Sequence, residues 1–173
     1  MNLVHYFKKA EPHMFDPSQL TGDMTYLRGG LANKPNNVFW LSEVGGKNTW
    51  EDLQKEDPEL FELWDMEQPM HFKTTSSAQL LKIDSLSDVP EEFLTKKGYR
   101  QNPYTDNKDT YTIIDWDALK RAGYSGAIVS GTANLEPMDV NRNKGINNVI
   151  DAMEKTWEVD SVVIWDPKAI EIS

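Results

Sequence analysis

Cysteine is absent from this 173-residue chain. Its absence excludes disulfide staples, Cys-ligated zinc, thiol nucleophiles and iron–sulfur clusters. Histidine is scarce: His5, His13 and His71 are the whole complement, and their spacing is not that of a metal site. No apolar run approaches the roughly 20 residues of a membrane span, and the opening "MNLVHYFKKAEPH" lacks the long apolar core of a signal peptide. A soluble, cytoplasmic protein is the expectation. Basic residues are in the minority, 18 against 28 acidic ones. The resulting charge of −10 favours solubility and opposes non-specific adhesion to a nucleic-acid backbone. The serines show no nucleophile-elbow motif, and no internal repeat is visible. What remains is a length suited to one domain, residues 1–173, able to bury a core without staples. Six tryptophans must mostly lie in that core.

Strand signals open and close the chain. "NLVHYF" is β-branched and aromatic, bounded by Lys8-Lys9 and the Pro12 region. A polar, glycine-bearing connector, "TGDMTYLRGGLANKPNN", leads into "VFWLSE" (Val38 to Glu43), a short apolar run suited to a buried strand. Acids gather in "WEDLQKEDPELFELWDMEQ" (Trp50 to Gln68), where Leu53, Leu60, Phe61 and Trp64 supply apolar faces broken by Pro58. A solvated helical pair is expected there, with an acidic docking surface as the alternative. Two further strands fit around His71 to Thr74 and Gln79 to Ile83. From Ser85 to Thr110, Pro90, Gly98 and Pro103 interrupt every period, which predicts a loop with at most one helical turn. Asp115 can cap a helix whose Trp116, Leu119 and Ala122 share a face. Gly123 suits the left-handed residue that ends it, and Gly126 permits the turn into "AIVS". A polar insertion, a helix over "INNVIDAMEKTW", the strand "SVVIW", a turn at Asp166-Pro167 and "AIEI" complete the chain. The strands are too irregularly spaced for a doubly wound sheet, so the class is α+β.

A helix ending in Gly-Tyr-x-Gly, a short apolar strand, an insertion and then "VVIWDPKAIEI" is a distinctive order. It resembles the C-terminal half of ADP-ribosyltransferase-like domains found among phage proteins and bacterial toxins. "LVHYF", an early strand with a histidine, and "NNVFWLSE", a second strand after a glycine-bearing loop, extend the likeness over nearly the whole chain. The resemblance implies a split, mostly antiparallel β-sheet core with flanking helices. It implies NAD bound as substrate in the cleft between the sheet halves, and transfer of ADP-ribose to a macromolecular target, taken to be a protein. A phage or bacterial effector working in a host cytoplasm, with no metal and no membrane, fits that picture.

Breaking the bond between nicotinamide and ribose builds positive charge on the sugar. Such a site needs a carboxylate near the ribose, an aromatic wall for the nicotinamide, and donors for ribose or phosphate. By the resemblance, His5 matches the first-strand histidine that hydrogen-bonds the adenosine ribose. Tyr6 stands where that branch usually has glycine; its backbone can hold the amide, while its side chain threatens to crowd the ligand. Trp40 falls at the stacking position, with Ser42 two residues on. The family's other branch, with Arg-Ser-Glu, is matched by Arg28 and Ser42, and Arg28 would there pair with the phosphates. The histidine version is preferred because the first strand ends before Arg28. Anchoring the last strand on "VVIWDP" puts Ser161 at the place of the catalytic glutamate, with Asp160 beside it and Glu158 further back. Glu158 is favoured over Asp160 for its reach, and Glu136 is an outside candidate. Two rivals stay open. One is a non-catalytic protein of the same fold that binds a partner, favoured by the missing glycine after His5 and the displaced glutamate. The other is an acidic inhibitor of a nucleic-acid-binding protein. In the leading reading, "LVHYF", "VFWLS" and "SVVIW" share one sheet system, with His5 and Trp40 facing a common cleft.

Overall fold

A computed structural model describes residues 1–25, 34–101, 108–131 and 159–173. The fold is mixed α+β, dominated by a curled seven-stranded sheet with few helices. Its strands are β1 (Asn2–His5), β2 (Phe39–Glu43), β3 (Met70–Thr74), β4 (Leu80–Ile83), β7 (Gly126–Val129), β8 (Ser161–Ile164) and β9 (Ile170–Ile172). Their order across the sheet is β4-β7-β8-β2-β1-β3-β9. A separate hairpin joins β5 (Leu94–Gln101) to β6 (Lys108–Ile114). Every neighbouring pair is antiparallel except β4 with β7, which the chain connects through the hairpin and helix α2 (Trp116–Arg121).

The sheet is packed on both faces, which explains why β8 reads as a continuous apolar run. Val163 joins a cluster with Trp116, Leu119 and Trp165 on one face, while Val162 and Ile164 join Leu3, Leu41 and Phe72 on the other. The expected strands "LVHYF", "VFWLS" and "SVVIW" do share this sheet, as β1, β2 and β8. Helix α2 forms where its caps predict. The Asp115 carboxylate accepts from the Ala118 N–H at 2.9 Å, and Gly123 takes φ +99° just past the end. Its buried face holds Trp116 and Leu119 but not Ala122, which is exposed because the helix stops at Arg121. Gly126 serves close approach rather than a turn. A Cβ there would overlap the Val163 carbonyl oxygen and lie 2.9 Å from a Leu80 methyl, so glycine lets β7 sit tightly between its neighbours.

Two expectations are corrected. Residues 85–101 and 108–110 are not a loop: two 3-10 turns, Leu86–Asp88 and Glu91–Phe93, lead into the paired strands β5 and β6, and residues 102–107 lie outside the described residues. Gly98 falls inside a register shift between Lys96 and Tyr99, so the irregularity is absorbed as a bulge and the ladder resumes. The acidic segment holds one short helix, α1 (Trp50–Glu56), capped by a reciprocal Thr49–Asp52 box, and Pro58 opens a 3-10 turn rather than a second helix. The helix expected over 146–157 lies outside the described residues.

Helix α2 also anchors the connector that precedes β2. The Asp117 carboxylate accepts from the N–H groups of Met24 (3.0 Å) and Thr25 (2.9 Å). Burial works against its charge, yet these hydrogen bonds hold its carboxyl below the usual aspartate range. The Asn36 N–H then donates to the Met24 carbonyl at 2.9 Å, bringing the chain back to the same point.

Candidate functional site

β1 and β2 pair over only two positions, Leu3 with Glu43 and Val4 with Ser42. Beyond them β1 keeps company with β3 as far as His5 opposite Met70, whereas β2 follows β8 through Leu41, Trp40 and Phe39. The two central strands therefore part, and a side chain spans the gap: His5 Nδ1 lies 2.6 Å from the Trp40 carbonyl oxygen. A carbonyl only accepts, so Nδ1 carries the proton and the neutral ring offers Nε2 as an acceptor. Burial lowers the pKa of His5; the bond to Trp40 and the charge of Glu11 pull weakly the other way, so the ring is neutral at neutral pH.

The pleat decides which way each ring points. Val4 lies opposite Ser42, so Val4, Ser42 and Trp40 share one face, and Leu3, His5, Leu41 and Phe39 share the other. Packing agrees: the His5 ring sits 4.3 Å from both Phe7 and Phe39, while Trp40 packs against the cluster of Trp116 and Trp165. His5 and Trp40 are brought together, but through the Trp40 backbone. Their rings leave the sheet on opposite faces, so the common cleft expected for both is reached from two sides of the sheet.

Two cavities open where the strands part, of about 400 Å³ and 540 Å³, and His5, Glu11 and Trp40 line both. The first is aromatic. Val4, Tyr6 and Trp40 form its sheet side, and Trp50, Phe61 and Trp64 form the facing wall. Phe61 meets Trp50 edge to face at 5.9 Å and Trp64 at 5.8 Å. A backbone clasp holds this wall to the end of β1: the Lys9 N–H donates to the Leu63 carbonyl and the Asp65 N–H to the Phe7 carbonyl, both at 2.8 Å. The Lys8 ammonium lies 5.4 Å from the Trp64 ring centroid. The Tyr6 hydroxyl donates to Glu51 Oε1, so its side chain is drawn against α1 as part of the wall. Burial, then the hydrogen bond to Glu51 and its negative charge, push the Tyr6 phenol well above the usual tyrosine range. The second cavity is more polar, with Asp16, Gln19 and Asn37 beside Phe7 and Phe39.

The remaining predicted residues are scattered. Ser42 is buried on the Trp40 face, and among the described residues its Oγ has no hydrogen-bond partner. The β2–β8 register, continued one step, sets Ser161 beside it; Ser161 Oγ donates to the Val159 carbonyl at 3.1 Å. Asp160 lines neither cavity. Its carboxylate accepts from the Gly131 N–H at 2.8 Å and lies 3.5 Å from the Asn48 amide, tying β8 to the approach of α1. Arg28, Glu136 and Glu158 lie outside the described residues. Among the described residues no His, Asp and Glu cluster could hold a metal ion, and no helix is long and apolar enough to cross a membrane. Sequence reasoning missed Glu11 and the part played by Trp50, Phe61 and Trp64. The signal for the rings was there, since three large aromatics within an acidic stretch are more than a solvated helix needs.

These features define a mixed α+β protein whose central strands part to form a cleft, aromatic on one face and polar on the other. No protein-family model matches the chain, and no curated protein or solved structure matches it either.

Proposed function

We propose that the chain is an ADP-ribosyltransferase-like protein that binds NAD where β1 and β2 part and transfers its ADP-ribose to a macromolecular target. The observation that carries this reading is the His5–Trp40 junction: a first-strand histidine bonded across the gap between two diverging strands of a mostly antiparallel sheet. That is where the resemblance puts the dinucleotide. The cavities on either side have the size of small-molecule sites and suit a ligand with flat rings and a polar middle. His5 Nε2 can accept from a ribose hydroxyl, and Trp40 offers a ring wall. The resemblance assigns Arg28 to the phosphates and Glu158 or Asp160 to the catalytic carboxylate; Asp160 is engaged with the Gly131 N–H, and Arg28 and Glu158 lie outside the described residues.

A second reading has its own support. Where the resemblance calls for a carboxylate on β8, Ser161 stands beside Ser42, and both are buried. A non-catalytic protein of the same fold, binding a partner or the dinucleotide alone, needs no acid there. Calorimetry with NAD, followed by incubation of labelled NAD and protein with a host lysate, separates the two. Saturable binding is expected, weakened about fivefold in Trp40→Ala because ring stacking contributes about 1 kcal/mol, together with label on a macromolecule. Binding without transfer supports the second reading; no binding removes both dinucleotide readings.

A further inference from the structure

We propose that Glu11 is the carboxylate this cleft turns toward the reacting ribose, an assignment that rests on the ADP-ribosyl reading above. Glu11 lines both cavities, at the gap where His5 and Trp40 also line both. Among the described residues no hydrogen bond or ion pair ties its carboxylate, whereas Asp16, the other acid that lines either of these cavities, is committed. Asp16 accepts from the Ser18 N–H at 2.9 Å and the Ser18 hydroxyl at 2.6 Å. Outside the cavity linings, Glu51 holds the Tyr6 hydroxyl, and Asp160 holds the Gly131 N–H. The backbone gives Glu11 a defined place. Its N–H donates to the Lys8 carbonyl at 2.9 Å, directly after the clasp that fixes Lys9 to Leu63. Its negative charge is the smallest of the three influences on the His5 ring and favours the protonated form.

The chemistry asks for what Glu11 offers. The bond from ribose C1′ to the pyridinium nitrogen breaks, and its electron pair leaves with the ring, which departs as neutral nicotinamide. Positive charge spreads over C1′ and the ring oxygen of the ribose, and a facing carboxylate lowers its energy. A lone pair of water, or of a nucleophilic group on the acceptor, forms the new bond to C1′. The proton that this nucleophile loses passes to Glu11 and on to solvent. With water, NAD becomes ADP-ribose, nicotinamide and one proton. Glu11 would thus stand in for the acid that β8 lacks, from the opposite side of the gap.

The full-length protein is incubated with NAD labelled in the nicotinamide ring, release of free nicotinamide is measured, and affinity for NAD is read by calorimetry. Glu11→Gln should lower release on the order of a hundredfold while affinity stays within about threefold, and Glu11→Asp should fall between. Glu11 is exposed, so neither variant should move the thermal midpoint. Release at the unmodified rate in Glu11→Gln overturns the assignment and leaves the ADP-ribosyl reading standing. Equal loss of affinity and rate also overturns it, since Glu11 would then serve binding alone. If the unmodified protein binds NAD without releasing nicotinamide, the assignment and the transfer fall together and binding survives. If it does neither, the whole reading falls.

Discussion

The two cavities that meet at His5 are built from opposite faces of the same two strands, yet they differ in kind. One borrows its far wall from the acidic segment and is made of rings: Trp50, Phe61 and Trp64. The other takes loop residues such as Asp16, Gln19 and Asn37 and is polar. Elsewhere in the sheet the same alternation yields two apolar cores, because helices and loops cover both faces. Where β1 and β2 part, the covering is incomplete and the pleat instead displays two unlike surfaces side by side. A ligand that is flat at one end and rich in hydroxyls further along can use both.

The contrast can be broken from the aromatic side first. Phe61 is only 5% exposed and touches both tryptophans of its wall. Phe61→Ala should therefore cost about 3–4 kcal/mol of stability in denaturant unfolding. A cost below about 1 kcal/mol would mean that the wall is a loose flap and not part of the core.

A smaller effect should come from the polar side, through pH. Burial keeps the native His5 pKa below its ordinary value, so below about pH 6.5 the unfolded chain takes up the proton more readily than the fold does. Its contribution to stability is complete above that pH and is lost as pH falls toward the lowered native value. His5→Asn, which can still donate to the Trp40 carbonyl, should flatten this part of the pH profile. An unchanged slope in unfolding curves between pH 7 and 5 would show that His5 is not the group responsible.

The smallest change sharpens the comparison. Tyr6→Phe removes the bond to Glu51 while keeping the ring, and the exposed Glu51 carboxylate can return to water. The expected loss is about 0.5–1 kcal/mol in thermal or denaturant unfolding. A much larger loss would mean that the bond, and not ring packing, holds α1 to the sheet.

The central strands were legible in the sequence because burial on both faces leaves uninterrupted apolar runs, as in "SVVIW" and "VFWLS". Helix α2 was legible through Asp115 and Gly123, whose chemistry is local. The β5–β6 hairpin was not, since "LTKKGYRQ" has neither alternation nor a tight turn signal, and its glycine reads as a breaker until the bulge is seen. At the site, the chain order pointed to His5, Tyr6 and Trp40. That the His5 and Trp40 rings take opposite faces follows from which residues pair across β1 and β2, and no single strand's sequence carries that register. Glu11 sits in no motif; only its position beside two cavities distinguishes it from the other acids.

The connector before β2 leaves and returns at one doorway, between the Asp117 carboxylate and the hydrogen bond from Asn36 to Met24. Because its two ends are already fixed side by side, extra residues inserted between them add little closing entropy, about 0.6 kcal/mol for each doubling in length. Chain length can thus drift at this point while β1, β2 and the gap between them keep their places.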